Sequence, residues 1–122
     1  MILLHGTTRR RAEGIIDLGP DPRFREPGGQ ATEDGFSMYL ETGPFHFGMP
    51  DEYARGKATE FPDEGGAVIL VLNVPDEIVR VAATERFPLS QGLVQFDCGS
   101  GLEELVAGWS EVKKSAQIRS IT

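Results

Sequence analysis

Met1-Ile2-Leu3-Leu4-His5-Gly6-Thr7 opens the chain, and its reading decides the fold. Met1 to Leu4 is a short apolar run, which predicts a buried strand too brief to be a helix. His5, Gly6 and Thr7 stand at its end, and an amphipathic segment from Thr8 to Leu18 follows at once. A strand that delivers a histidine, a glycine and a hydroxyl to the lip of a helix is a common way to build a small-molecule site. The expectation is a pocket floored by this stretch and walled by the rest of the chain.

Outward from it, Thr8 is placed to cap the first helix, with Ala12, Ile15 and Ile16 on one face and Gly19 at its stop. Residues 19–35 carry Pro20, Pro22 and Pro27 among glycines and no periodic pattern. A stretch of that kind is either a loop over a pocket or a disordered segment. Phe36 to Glu41 reads as a strand with Phe36, Met38 and Leu40 on one face and Ser37, Tyr39 and Glu41 on the other. Pro50-Asp51-Glu52 is a helix opening, with proline and acids in the first turn. Tyr53, Ala54, Ala58 and Phe61 are expected to form that helix's buried face.

Ala67 to Val74 is the most hydrophobic run in the chain, and its branched residues predict a central strand covered on both faces. A short strand is expected over Val79 to Ala82, then a loop through Pro88. Gly92 to Cys98 reads as another strand, with Leu93, Gln95 and Asp97 opposite Val94, Phe96 and Cys98. Ser100 and Glu103 match a capping box. The helix after them sets Leu102, Leu105, Val106, Trp109 and Val112 on one stripe, and Ala116 to Ile121 follows as a last strand. Helices interleaved with hairpin-like strands give an α+β domain with a mostly antiparallel sheet.

Length and composition bound the rest. A chain of 122 residues with 39% hydrophobic and 25% charged residues is one domain around one core. A net charge of -7 opposes nonspecific binding to nucleic acid or to an anionic membrane, and Arg9-Arg10-Arg11 is the single basic patch. The absence of a long apolar run argues against a membrane span, and the N-terminus lacks a signal-peptide pattern, so the expected location is cytoplasmic. The one cysteine, Cys98, excludes an internal disulfide. His5, His46 and Cys98 lack the close ligand spacing of a metal site. No phosphate-cradling glycine loop is present.

His5, Tyr39 and Gln95 are polar groups on otherwise apolar elements. Taken singly, each has a structural alternative: a histidine at a strand end is commonly satisfied within the fold, and tyrosine favours strands. Taken in order, they resemble a family. His5-Gly6-Thr7, then a helix with Ile15 and Gly19, is similar to the opening of ADP-ribosyltransferase domains of the His-Tyr-Glu type, which include poly-ADP-ribose polymerases and diphtheria-like toxins. Gly35-Phe36-Ser37-Met38-Tyr39-Leu40 and then Asp51-Glu52-Tyr53-Ala54 resemble the family's tyrosine strand and the helix after it. Ala67–Val74 resembles its central strand.

The resemblance implies a split, mixed β-sheet clasping NAD. His5 would donate a hydrogen bond to a ribose hydroxyl. Gly6 and Thr7 would line the cofactor site, Gly6 by offering backbone groups to the nicotinamide amide. Tyr39 and Tyr53 would sandwich the ring. The family's glutamate falls on Gly92; Gln91 or Gln95 would reach a ribose hydroxyl in its place, and Asp97 or Glu85 would supply a carboxylate under a shifted alignment. The expected function is transfer of ADP-ribose from NAD to a protein or nucleic-acid acceptor, or hydrolysis of NAD. The alternatives are a catalytically silent binding or regulatory module, or an RNA 2′-phosphotransferase-like activity.

Overall fold

A computed structural model describes residues 1–20, 35–44, 48–83, 88–97 and 99–121. Among these residues five strands run β1 (Ile2–Thr8), β2 (Gly35–Leu40), β3 (Ala67–Asn73), β4 (Leu93–Asp97) and β5 (Gln117–Ser120). Between them lie α1 (Arg9–Leu18), α2 (Met49–Glu60), α3 (Asp76–Ala82), α4 (Leu102–Ala107) and α5 (Trp109–Val112). The fold is α+β, with the sheet in the order β4-β2-β1-β3-β5. Every ladder between these strands is antiparallel, so the expected mixture of directions is not found. The parallel contact among the described residues is the isolated bridge from Asp97 to Gly101.

Two apolar layers sandwich the sheet. Leu3, Phe36, Met38, Val68, Leu70, Leu72, Val94 and Phe96 face one side, where they meet Ala12, Val79, Leu105, Trp109 and Val112 from the helices. Leu4, Ile69 and Val71 face the other side, against Ala54 of α2. The two-residue period of a strand sorts β3 into both layers, as expected for a strand covered on each face. Each large side chain buried here contributes about 1.5–3 kcal/mol through lost apolar exposure.

β1 is longer than the sequence suggests. Its pairing with β3 continues without a break from Ile2↔Asn73 to Thr8↔Ala67, so His5, Gly6 and Thr7 lie inside the strand rather than beyond its end. Thr8 then caps α1, its Oγ1 accepting from the Arg11 N–H at 3.3 Å and donating to Glu64 Oε2 at 2.7 Å. Gly19 ends α1 at φ 93, a backbone conformation that favours glycine. The Trp109 indole N–H donates to Ile16 O at 3.0 Å, satisfying a helix-end carbonyl and tying α5 to α1.

Three expectations are corrected. Residues 79–82 belong to a helix, α3, not a strand: Pro75 sits at its N-cap, Asp76 and Glu77 fill its first turn, and Val79 and Ala82 are buried one turn apart. The β-branched residues suggested a strand, but the proline-acid opening and tertiary burial prevail. The capping box does not form as expected. Gly101 is the N-cap of α4, and Glu103 accepts instead from the Gly99 N–H at 3.0 and 3.2 Å. The long C-terminal helix breaks at Gly108, leaving Val106 39% exposed while Leu102, Leu105, Trp109 and Val112 stay buried. The loop expected over 19–35 lies mostly outside the described residues, as do His46, Glu85 and Cys98. No helix among the described residues is long and apolar enough to cross a membrane.

Candidate functional site

The sheet forks between β1 and β2. Their ladder consists of Leu3↔Leu40 and Leu4↔Tyr39, whereas β1 pairs with β3 along its whole length and β2 with β4 along Gly35 to Tyr39. Beyond Leu4 and Tyr39 the two half-sheets diverge. Ladder bonds alternate from residue to residue in antiparallel pairing. Val74 N–H donates to Met1 O and Arg9 N–H to Gly66 O, so odd-numbered residues of β1 bond towards β3. Glu41 N–H donates to Ile2 O, so the even-numbered ones turn towards β2. Gly6 follows Ile2 and Leu4 in that alternation, and its N–H and C=O point into the fork.

Gly6 is a glycine for a second reason. A Cβ there would lie 1.9 Å from Pro50 O and 3.0 Å from Ala54 N. The first turn of α2 therefore rests directly on the β1 backbone, which places Tyr53 over the neck of the fork. Its ring stacks with that of Tyr39 at a centroid separation of 6.2 Å and an interplanar angle of 27°. Tyr53 was expected on the buried face of its helix; instead it is 52% exposed and Ala54 alone of that set is fully buried. Burial first, and then the neighbouring Tyr53 hydroxyl, push the Tyr39 phenol up to about 12. Tyr39 is thus a neutral ring and hydrogen-bonding group at physiological pH, not a base.

Across the fork, the His5 Nδ1 lies 2.8 Å from Ser37 O. A carbonyl accepts and never donates, so Nδ1 carries the proton of this hydrogen bond. The His5 ring also packs on Phe36 at 4.7 Å, tilted by 32°. Ser37 continues the network on the α2 side of the sheet. Its hydroxyl donates to Gln95 Oε1, and Gln95 Nε2 donates to Asp97 Oδ1 at 2.9 Å. Gln95 is 5% exposed.

The structure thus sets Gly6, Tyr39, Tyr53 and Gln95 on the α2 side of the fork, while His5 shares the Phe36 side with Leu3 and Thr7 and reaches the fork through the Ser37 carbonyl. Thr7 and Gln91 are placed apart. Thr7 pairs with Val68 and is 3% exposed, turned to the main core. Gln91 is exposed in a 3-10 turn, Leu89–Gln91, that precedes β4. Gly92 beside it has φ 79, and a Cβ there would lie 2.8 Å from Pro44 Cδ. That position cannot carry a glutamate without rebuilding the turn.

Ser37 is the residue that sequence reasoning missed. Its carbonyl meets His5 Nδ1 and its hydroxyl donates to Gln95. Glu64 was missed as well, and its role is structural. It is 7% exposed and pairs with Arg11 Nε at 2.8 Å, while the Arg11 guanidinium lies 3.9 Å from the Phe61 ring centroid. Burial alone would raise the Glu64 carboxyl, but hydrogen bonds from Arg11 and Thr8 and the charges of Arg11 and Arg10 hold it below its ordinary value. Arg9 donates to Ser120 Oγ at 2.7 Å. Two members of the only basic run are therefore engaged within the fold.

A groove of about 420 Å³ runs along α2, lined by Met49, Glu52, Tyr53, Gly56, Lys57 and Glu60. Among the described residues, no three His, Cys, Asp or Glu side chains converge in a way that would hold a metal. Comparison with protein-family models, with curated proteins and with solved structures gives no match for this chain.

Proposed function

We propose that the chain is an ADP-ribosyltransferase-like protein that binds NAD in the β1–β2 fork and cleaves its nicotinamide glycosidic bond. The observation that carries the reading is one break in the sheet, bordered by the His5 imidazole on the Phe36 side and by the Gly6 backbone and a pair of stacked phenols on the α2 side. Nicotinamide is flat and carries a carboxamide. The tyrosines suit its faces, and the Gly6 N–H and C=O suit an amide, which needs one acceptor and one donor.

A ring sandwiched between two others needs about 7 Å between the outer planes, two contacts of about 3.5 Å each. The observed 6.2 Å falls slightly short, so Tyr53 must move outward on binding. Its half-exposed side chain on α2 is free of the core and suited to that movement. Cleavage breaks the bond from ribose C1′ to the nicotinamide nitrogen. The electron pair leaves with nicotinamide, which departs neutral, and positive charge develops on the ribose. An acceptor, or water in the hydrolytic case, supplies the new pair at C1′ and loses its proton. His5 would hydrogen-bond a ribose hydroxyl during this step.

The locked turn at Gly92 favours one second reading. With no glutamate possible there, a fold that binds NAD without cleaving it would serve as a regulatory module. Nicotinamide release separates the two: the enzymatic reading expects release that falls sharply in His5→Ala and Tyr39→Ala. Binding without release supports the module. Release that survives both substitutions would refute the assigned site.

A further inference from the structure

We infer that Ser37, Gln95 and Asp97 form a hydrogen-bonded relay that brings negative charge to the fork, an inference that rests on the NAD-cleaving reading above. The reaction builds positive charge on the ribose, and a fixed negative pole facing that charge lowers its barrier. The turn at Gly92 is closed to any side chain by its φ of 79 and by Pro44. The carboxylate that shares the α2 side of β4 with Gln95 is Asp97, two residues along the strand.

The directions of the bonds in the relay follow from chemistry. A carboxylate only accepts, so the Gln95 amide nitrogen must face Asp97, and the observed contact is 2.9 Å. That leaves Gln95 Oε1 to accept the Ser37 hydroxyl proton. With its proton committed to Gln95, Ser37 Oγ has lone pairs to offer the fork. The Asp97 charge polarises the Gln95 amide, which in turn makes the Ser37 oxygen more electron-rich, because bonds in such a chain reinforce one another. Gln95 is itself buried, so little water competes with the chain. His5 ends on the carbonyl of the same Ser37, so imidazole and relay meet at one residue.

Asp97 and Gln95 are positioning residues in this scheme, and Ser37 Oγ is the atom that meets substrate. The test measures nicotinamide release and NAD-induced stabilisation in the wild type, Asp97→Asn, Asp97→Glu, Ser37→Ala and the Asp97→Asn/Ser37→Ala double variant. Asp97→Asn keeps an oxygen for Gln95 but removes the charge. The relay expects kcat to fall about tenfold or more in either single variant, with KM and NAD-induced stabilisation retained. It also expects the double variant to be no slower than the slower single, because both break the same chain. Asp97→Glu should retain more rate than Asp97→Asn. Rates are taken below each variant's own melting midpoint, so reduced folding does not imitate the effect.

Wild-type kcat in Asp97→Asn, or effects that multiply in the double variant, would overturn the relay and leave the NAD reading standing. A wild type that is stabilised by NAD but releases no nicotinamide overturns the relay in favour of the binding module. A wild type that NAD does not stabilise overturns both.

Discussion

Replacing Gly6 with alanine should separate α2 from the sheet and abolish the nucleotide site with it. The added Cβ would lie 1.9 Å from Pro50 O, and neighbours essentially never approach a Cβ closer than 3.0 Å. The first turn of α2 must therefore retreat by about 1 Å, and close-packed interiors do not absorb such shifts freely. The obstacle is backbone, not the end of a flexible side chain, so a change of rotamer cannot relieve it. Overpacking of this kind costs about 3 kcal/mol. At roughly 4 °C per kcal/mol for a chain of this size, the melting midpoint should drop by about 12 °C. Tyr53 lies about 4.5 Å further along the same helix axis and moves with Pro50, so NAD-induced stabilisation should be lost even where the variant is folded. Thermal denaturation with and without NAD reads both effects. A Gly6→Ala protein with an unchanged midpoint would refute the close approach of α2 to β1.

The same helix supplies the opposite sign. Gly56→Ala places its Cβ where nothing lies within 4 Å among the described residues, so it should raise stability by about 1 kcal/mol through helix propensity, read as a higher midpoint. Glu64 has a lowered carboxyl in the folded state, so its contribution is complete above the unfolded value and is lost as pH falls through the folded one. Glu64→Gln should cost about 3 kcal/mol near neutral pH, because it leaves Arg11 without its buried counter-charge, and should flatten the acid limb of the stability curve. Tyr39 has the reverse dependence: its phenol is raised to about 12, so the unfolded chain loses that proton first and stability falls as pH climbs from about 10 towards 12. Phenolate absorbance in the native protein should show a component titrating near 12 that disappears in Tyr39→Phe.

Much of this architecture is legible in the sequence because period and punctuation agree. Phe36, Met38 and Leu40 alternate with Ser37 and Tyr39, and the strand forms with that division of faces. Thr8 and Gly19 bracket the first helix as their cap chemistry requires. Residues 79–82 are misread because valine and isoleucine weigh locally towards a strand, while the proline and acids that start the helix lie just upstream. The C-terminal helix reads as continuous because its apolar stripe is, yet Gly108 packs against Ile78 and divides it.

The site is legible in part for a similar reason. Identities suggest His5, Tyr39 and Tyr53, but not that His5 Nδ1 is committed to the Ser37 carbonyl, which is a matter of where two strands part. No local pattern encodes a fork. It arises because the β1–β3 ladder runs to Thr8 while the β1–β2 ladder ends at Leu4. Gly6 illustrates the point further, since its lack of a side chain serves the packing of α2 as well as the opening of the fork.

The most direct test of the NAD site is a titration of NAD into isotope-labelled protein, followed by backbone amide resonances. The amides of Gly6, Ser37, Tyr39 and Tyr53 should shift together and saturably, with residues of the distant β5 edge unmoved. No shift at millimolar NAD, or shifts confined to residues outside the β1–β2 fork, would contradict the account.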